Sequence, residues 1–510
     1  KARFGTFVAE KRVSFPEGIS TLMPGYKEYK LADKEIAKIA LGLDIQPGIY
    51  SAEDGKKKLN SLRSKIVEVL NTKIQSYSFK DAITVLLEKS NALIYDSWRT
   101  EIEIKAARNH EVDYERSERS SEKEKKSLHW YRIYRYLIEK FVHLQPAGST
   151  ELDKQSLKEL LAFTDRLVDL YVASDFINYE LYPVNVNINR DYIVSTYDEV
   201  HDIVLMGKEY AEEQTKINLG IIGNKNDMID SSFPIDNYLD ELNDAFKKDF
   251  VFRFRNFINV LQVLALWAVY AKKEEQTHYC ATREEITSVC SENIIGYDLS
   301  EINNILNFLI LEPKEILVVK GDPQPTEDVP IWEHNKRLMR FDLRPLIRIG
   351  NQYYWAPHSM DRTTKIWINT PNIHRLPSDF DAPTVKAILE KGHEDLRNCL
   401  VEKIEEITSR YTPYVKKNVY PHKFDQSICV IGDYGVLAYL KNKNLLLNIE
   451  SKIIDSAYNN KDAGRLQRKL FGDKKEDGTF KKGYLQRVEK RARYLNEKAK
   501  YLITKLSWEP

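Results

Sequence analysis

Apolar residues recur at three- and four-residue steps through much of the first 320 positions. Leu59, Leu62, Ile66, Val69 and Leu70 mark one such stripe, and residues 28–145 read as mostly helical. Inside that stretch, Glu111 to Lys126 carries almost nothing apolar and reads equally as a solvated helix or a loose linker. Gln145-Pro146-Ala147-Gly148-Ser149-Thr150 breaks the pattern. Helical spacing resumes near Leu152, with Leu157, Leu160, Leu161, Phe163 and Leu167 close to one stripe. Asp236 to Tyr270 predicts two helices. The second (Phe257, Val260, Leu261, Val263, Leu264, Trp267, Ala268) is so apolar that burial follows. Residues 282–311 predict two shorter helices, which suggest a winged-helix-like part within 270–320.

The pattern changes after Gly321-Asp322-Pro323-Gln324-Pro325, a linker signal. Two strand-like runs, Arg344 to Ile349 and Gln352 to Trp355, flank Gly350-Asn351 and predict a hairpin. Asp381 and Pro383 predict a helix start, with a capping side chain and then proline in the first turn. Val385, Ile388, Leu389, Leu396, Leu400, Ile404 and Ile407 continue that helix. Strand-like runs follow at 414–419, 427–440 and 445–453, and basic helices at about 463–471 and 484–506. The expected layout is a helical region over 1–145, a helical domain over 146–325, a small β-rich connecting segment over 326–379, and an α/β domain over 380–510.

Composition changes this picture only locally. Of 510 residues, 42% are hydrophobic and 30% charged, enough for sizeable cores under a charged surface. Lys plus Arg number 77 and Asp plus Glu 76, so any basic patch must be regional. From Lys461 to Pro510 there are 15 Lys plus Arg and 7 Asp plus Glu, a net of +8, which suits a phosphodiester partner. The cysteines, Cys280, Cys290, Cys399 and Cys429, form no CxxC pair and argue against a zinc ribbon or a disulfide framework. No apolar run approaches a membrane-spanning length. Lys1 to Phe7 does not read as a signal peptide, and the missing initiator Met suggests a piece of a longer protein. A cytoplasmic setting is expected.

The chemistry-bearing signal lies near the C-terminus. Ile431 to Leu440 reads as a strand, Lys441-Asn442-Lys443-Asn444 as a polar turn, and Leu445 to Lys452 as the returning strand. Glu450 and Lys452, two apart on a strand, leave the same face. A carboxylate there can hold Mg²⁺, and an ammonium beside it can orient water or offset phosphorane charge. If the turn centres between Asn442 and Lys443, opposed residue numbers have a constant sum, and Glu450 faces Gly435 while Lys452 faces Asp433.

This order of helix, strand, hairpin and helix, with Glu-x-Lys closing the hairpin, resembles the Mrr-like branch of the PD-(D/E)xK nucleases over residues 380–510. The resemblance implies a restriction-endonuclease-like α/β domain with a mixed sheet flanked by helices. It also implies Mg²⁺ (or Mn²⁺) as cofactor and phosphodiester cleavage, with DNA as the expected substrate and bacterial restriction or anti-phage defence as the setting. Relatives place the metal-binding Asp where this chain has Gly435. Asp433, Glu450 and Lys452 are therefore the catalytic candidates, with Asp433 and Glu450 as metal ligands. Asp433 would have to reach inward, as a bulge at Gly435 would permit. Glu394 and Gln467 are further candidates, each weighed against an ordinary solvated position. Arg465, Arg468, Lys469, Arg487, Lys490, Arg491 and Arg493 are the nucleic-acid-binding candidates. The alternative to an enzyme is a degenerate nuclease fold that binds nucleic acid, or a scaffold subunit whose N-terminal helices contact a protein partner or a second copy.

Other signals are weaker. Asn224-Lys225-Asn226-Asp227 matches a guanine-reading motif, but no phosphate-cradling loop accompanies it. His278, Cys280 and Cys290 lack zinc spacing. His129 and Trp130 among Tyr131, Tyr134 and Tyr136 read as packing. The spacing of Arg340, Arg344 and Arg348 suits phosphate contact or a simple hairpin flank.

Overall fold

The computed structural model describes residues 21–110, 114–179, 184–198, 235–296, 299–319, 337–372, 374–424, 434–450, 460–474 and 479–508. They are mostly helical, with small antiparallel sheets. They fall into two compact units. The first gathers described residues 21–178, 184–198 and 239–386, and the second 387–508 with the short pieces 179 and 235–238. No helix among the described residues is long and apolar enough to cross a membrane.

In the first unit, α1 (Tyr26–Gly42), α2 (Ala52–Ile74), α3 (Phe79–His110), α4 (Tyr114–Leu144) and α5 (Lys154–Tyr179) follow the predicted periodicity. Ser51 caps α2 by accepting from the Asp54 amide. The stripe Leu59, Leu62, Ile66 and Leu70 is fully buried. Helix α4 starts at Tyr114, so the charged stretch is helical from there rather than a linker. Trp130, Tyr131, Tyr134 and Tyr136 are buried, in line with packing. A sheet of β1 (Gly48–Tyr50), β2 (Val184–Ile188) and β3 (Val194–Asp198) joins these helices.

Gly148 closes the α3–α4 pair at its foot. A Cβ there would lie 2.1 Å from the Ser76 carbonyl oxygen, so only glycine fits. Thr150 donates to Ser76 O (3.2 Å), and Ser78 donates back to Thr150 O (2.8 Å).

One apolar core runs from Leu22 to Ala356. The expected division at 145/146 thus lies within a single unit, and the one at 325/326 lies outside the described residues.

The same unit contains most of α6 (Ile235–Phe250), from Leu239 on, with α7 (Phe254–Ala265), a short α8 (Trp267–Tyr270), β4 (Tyr279–Thr282), α9 (Arg283–Asn293) and α10 (Leu299–Leu309). It also contains β5 (Ile347–Ile349), β6 (Gln352–Trp355) and α11 (Pro357–Asn372). Strands β5 and β6 form the predicted hairpin, with Gly350 at φ 63 in its turn. Their sheet order is β4–β6–β5, antiparallel throughout. Helix α7, strand β4, helices α9 and α10 and the β5–β6 hairpin follow in that order along the chain, and the hairpin lies beyond 270–320. Phe246, Phe250, Phe252, Phe257, Phe308, Trp367 and Phe380 pack ring against ring, with centroids 5.0–6.3 Å apart in their T-shaped, stacked and tilted pairs.

Helix α12 (Pro383–Ser409) begins at Pro383 as predicted, but Ala382, not Asp381, precedes its first turn. The capping carboxylate comes from elsewhere: Asp249 accepts from the Val385 amide at 2.8 Å.

In the second unit, β7 (Val415–Val419), β8 (Tyr434–Leu440) and β9 (Leu445–Ile449) form an antiparallel meander in the order β7–β8–β9. The expected sheet was mixed, but among the described residues no parallel strand joins it. Helix α13 (Asn460–Phe471), the ribbon β10 (Gly472–Lys474) and β11 (Phe480–Lys482), and α14 (Tyr484–Lys505) follow. Leu437 and Tyr439 on β8 share a core with Tyr494, Leu495, Leu502, Ile503 and Trp508, so α14 covers one face of the meander.

Candidate functional site

The β8–β9 turn is a short 3₁₀ segment, Lys441–Lys443, ended by Asn444 in the left-handed region. Asparagine tolerates that conformation, and it fixes the register. Leu440 pairs with Leu445, Ala438 with Leu447, and Val436 with Ile449. Continued one step, this pairing sets Gly435 opposite Glu450, as the turn chemistry predicted. By strand alternation Glu450 shares a face with Asn448 and Leu446, the face that α14 covers.

Three donors engage the Glu450 carboxylate. Tyr484 Oη donates to Oε2 at 2.5 Å, Arg491 Nη2 to the same oxygen at 2.6 Å, and Asn448 Nδ2 to Oε1 at 3.0 Å. The Arg491 and Glu450 side chains are only 7% and 12% exposed. A buried guanidinium with a carboxylate partner forms a charge-neutral pair. Burial and the Glu450 hydrogen bond push the Tyr484 phenol well above its ordinary range, so it stays a donor. Arg491 therefore sits inside the fold rather than on the basic surface where the sequence placed it.

No family model, no curated protein and no solved structure matches the chain.

Position 435 leaves little room for a second ligand. A Cβ there would lie 2.9 Å from the Ile449 carbonyl oxygen, so a side chain at 435 needs the strands to part. Gly435 does not have the positive φ of a glycine bulge. Asp433, Lys452 and the guanine-like motif at 224–227 lie outside the described residues. Among the described residues no group of three or more His, Cys, Asp or Glu could hold a metal ion. Glu450 as placed accepts from three protein donors, and its expected companions Asp433 and Lys452 are not among the described residues.

The remaining candidates are peripheral. Glu394 is exposed on α12, and Gln467 is exposed on α13. Arg465 lies on α13. Arg468, Lys469, Arg487 and Lys490 are exposed, and Arg493 is exposed while pairing with Glu489 at 3.2 Å. The reading of the sequence missed the β10–β11 ribbon. Its Phe480 is 55% exposed, and the neighbouring Phe471 is 54% exposed. The Phe480 ring lies over Gly472, whose Cβ would come within 2.6 Å of it. Lys481 and Lys482 are exposed beside these rings.

Proposed function

We propose that the second unit is a nuclease-like module that holds nucleic acid by its phosphates without cutting it. The observation that carries this reading is the Glu450–Arg491–Tyr484 cluster, in which a guanidinium satisfies one of the two carboxylates that a metal centre would use. The exposed cations Arg468, Lys469, Lys481, Lys482, Arg487 and Lys490 offer phosphate contacts, and the exposed Phe471 and Phe480 rings offer stacking surfaces. DNA is the expected polymer. A place in restriction or anti-phage defence rests on analogy alone.

Cleavage with Mg²⁺ or Mn²⁺ is the second reading. It is favoured by the hairpin register, which puts Glu450 at the strand end as the resemblance to the nucleases implies. One experiment separates the two. The protein is incubated with plasmid DNA and with RNA, with and without each metal, and binding is titrated against salt. We expect binding without cleavage, with log K falling by about 0.9 per neutralised phosphate on duplex DNA. Joint reversal of Lys469, Arg487 and Lys490 to Glu should lower both affinity and that slope. Metal-dependent cleavage that a folded Glu450→Ala protein loses would overturn the binding reading in favour of the nuclease.

A further inference from the structure

The first unit contains an arginine cluster that the carboxylates among its described residues do not balance. On α4, Tyr131 donates to Asp342 Oδ1 at 2.7 Å, and Arg135 pairs with Asp342 Oδ2. From α11, Arg362 Nε approaches Asp342 Oδ1 at 3.5 Å, with its guanidinium 4.8 Å from the Tyr131 ring centroid. Beside this group, Arg337 donates to Glu139 at 2.8 Å, with both side chains at most 5% exposed. Among the described residues Arg340 has only a backbone partner, the Pro377 carbonyl. Among these described residues four guanidiniums (Arg135, Arg337, Arg340, Arg362) face two carboxylates (Glu139, Asp342), an excess of two positive charges.

Such an excess is costly in a partly desolvated place unless an anion supplies the missing charge. The Nε atoms of Arg337 and Arg340 are buried and donate to no acceptor. Burial, together with repulsion from Arg135, pushes Arg340 down to about 10, the direction expected of a crowded cation that still carries its charge at neutral pH. The cluster is not sealed: the Arg135 and Arg362 side chains are 22% and 35% exposed. Arg135 and Arg362 meet on Asp342 with part of each side chain exposed, and planar guanidinium forks are the chemistry that takes tetrahedral oxyanions bidentately.

We propose that Arg135, Arg340 and Arg362 form a binding site for a phosphate dianion, either inorganic phosphate or the terminal phosphate of a monoester. A dianion matches the excess of two charges, whereas a phosphodiester carries only one per group. The site uses none of the residues assigned to nucleic acid, so it stands or falls independently of that reading. Of the arginine series in the sequence, only Arg340 takes part. Arg344 is buried over Phe308, 4.2 Å from its centroid, and Arg348 is exposed on β5.

The test is a thermal-unfolding titration of the full chain with inorganic phosphate, against sodium chloride at matched ionic strength and against dimethyl phosphate. We expect a saturable rise in Tm with phosphate and none with the other two. Arg340→Gln and Arg362→Gln should each weaken the apparent affinity at least tenfold, while Arg348→Gln should leave it unchanged. If either variant fails to fold, Arg362→Lys, which keeps the charge but loses the fork, should still weaken binding. A wild-type chain whose Tm ignores phosphate, or an equal response from dimethyl phosphate, overturns the proposal. So does a phosphate response that survives both glutamine substitutions.

Discussion

Asp342 in the first unit and Glu450 in the second are built alike. Each carboxylate accepts from a tyrosine hydroxyl and from an arginine on a neighbouring helix. They differ in the surrounding charge. Glu450 meets one arginine and closes a neutral pair. Asp342 meets two, with two more guanidiniums and one carboxylate close by. Burial alone would raise the Asp342 carboxyl, but Arg135 and Arg362 outweigh it and hold the group well below the usual carboxylate range. One motif thus ends as a closed lock in one unit and as an open cationic socket in the other. The number of arginines decides which.

The most severe way to break this comparison is Asp342→Ala. It removes the only carboxylate among the described residues that pairs with Arg135 and Arg362 and should cost about 3–5 kcal/mol, the usual result of orphaning buried charge. Hydrogen exchange over α4 and 337–344 would report it, and phosphate should restore part of the loss. Protection unchanged in those segments would mean that Asp342 is dispensable.

Glu450→Ala should cost less, about 1–3 kcal/mol, because a single guanidinium, Arg491, is orphaned. Protection should fall over 445–450 and 484–495 and stay constant over α4. Acid titration sharpens the contrast most gently. The unfolded Asp titrates near 3.9 and the folded Asp342 well below it, so between those values the unfolded chain binds more protons. The contribution of Asp342 is therefore complete above about pH 4 and declines as the pH falls through its folded value. An Asp342→Asn protein should lack that portion of the acid slope in α4.

Local physics made much of this legible. The stripes of α2 and α7 and the paired helices α9 and α10 follow from apolar spacing. The β8–β9 register follows from a four-residue turn that ends in asparagine. Arg491 was misread because charge was weighed without phase. It lies on the stripe of Tyr484, Val488, Leu495 and Leu502, which points inward, whereas Arg487, Lys490 and Arg493 lie off it. The strand Val184–Ile188 also had a signal, its strict alternation of Val and Ile with Asn. No local pattern could have revealed the Asp342 cluster. Tyr131 and Asp342 are 211 residues apart, and only the closed core brings them together.

Gly148, pressed against the Ser76 carbonyl, bears on the order in which the first unit assembles. The chain from Ser76 to Gly148 is almost entirely α3 and α4, which pack on each other; contacts between segments adjacent in sequence are expected to form early. The strap at Gly148 ties the two ends of that stretch and can be made only after the helices have met. A contact completed past the rate-limiting crest leaves the speed of folding nearly untouched and lengthens the life of the folded state instead. Substitution at Gly148 is thus expected to speed unfolding of the helical pair more than it slows folding.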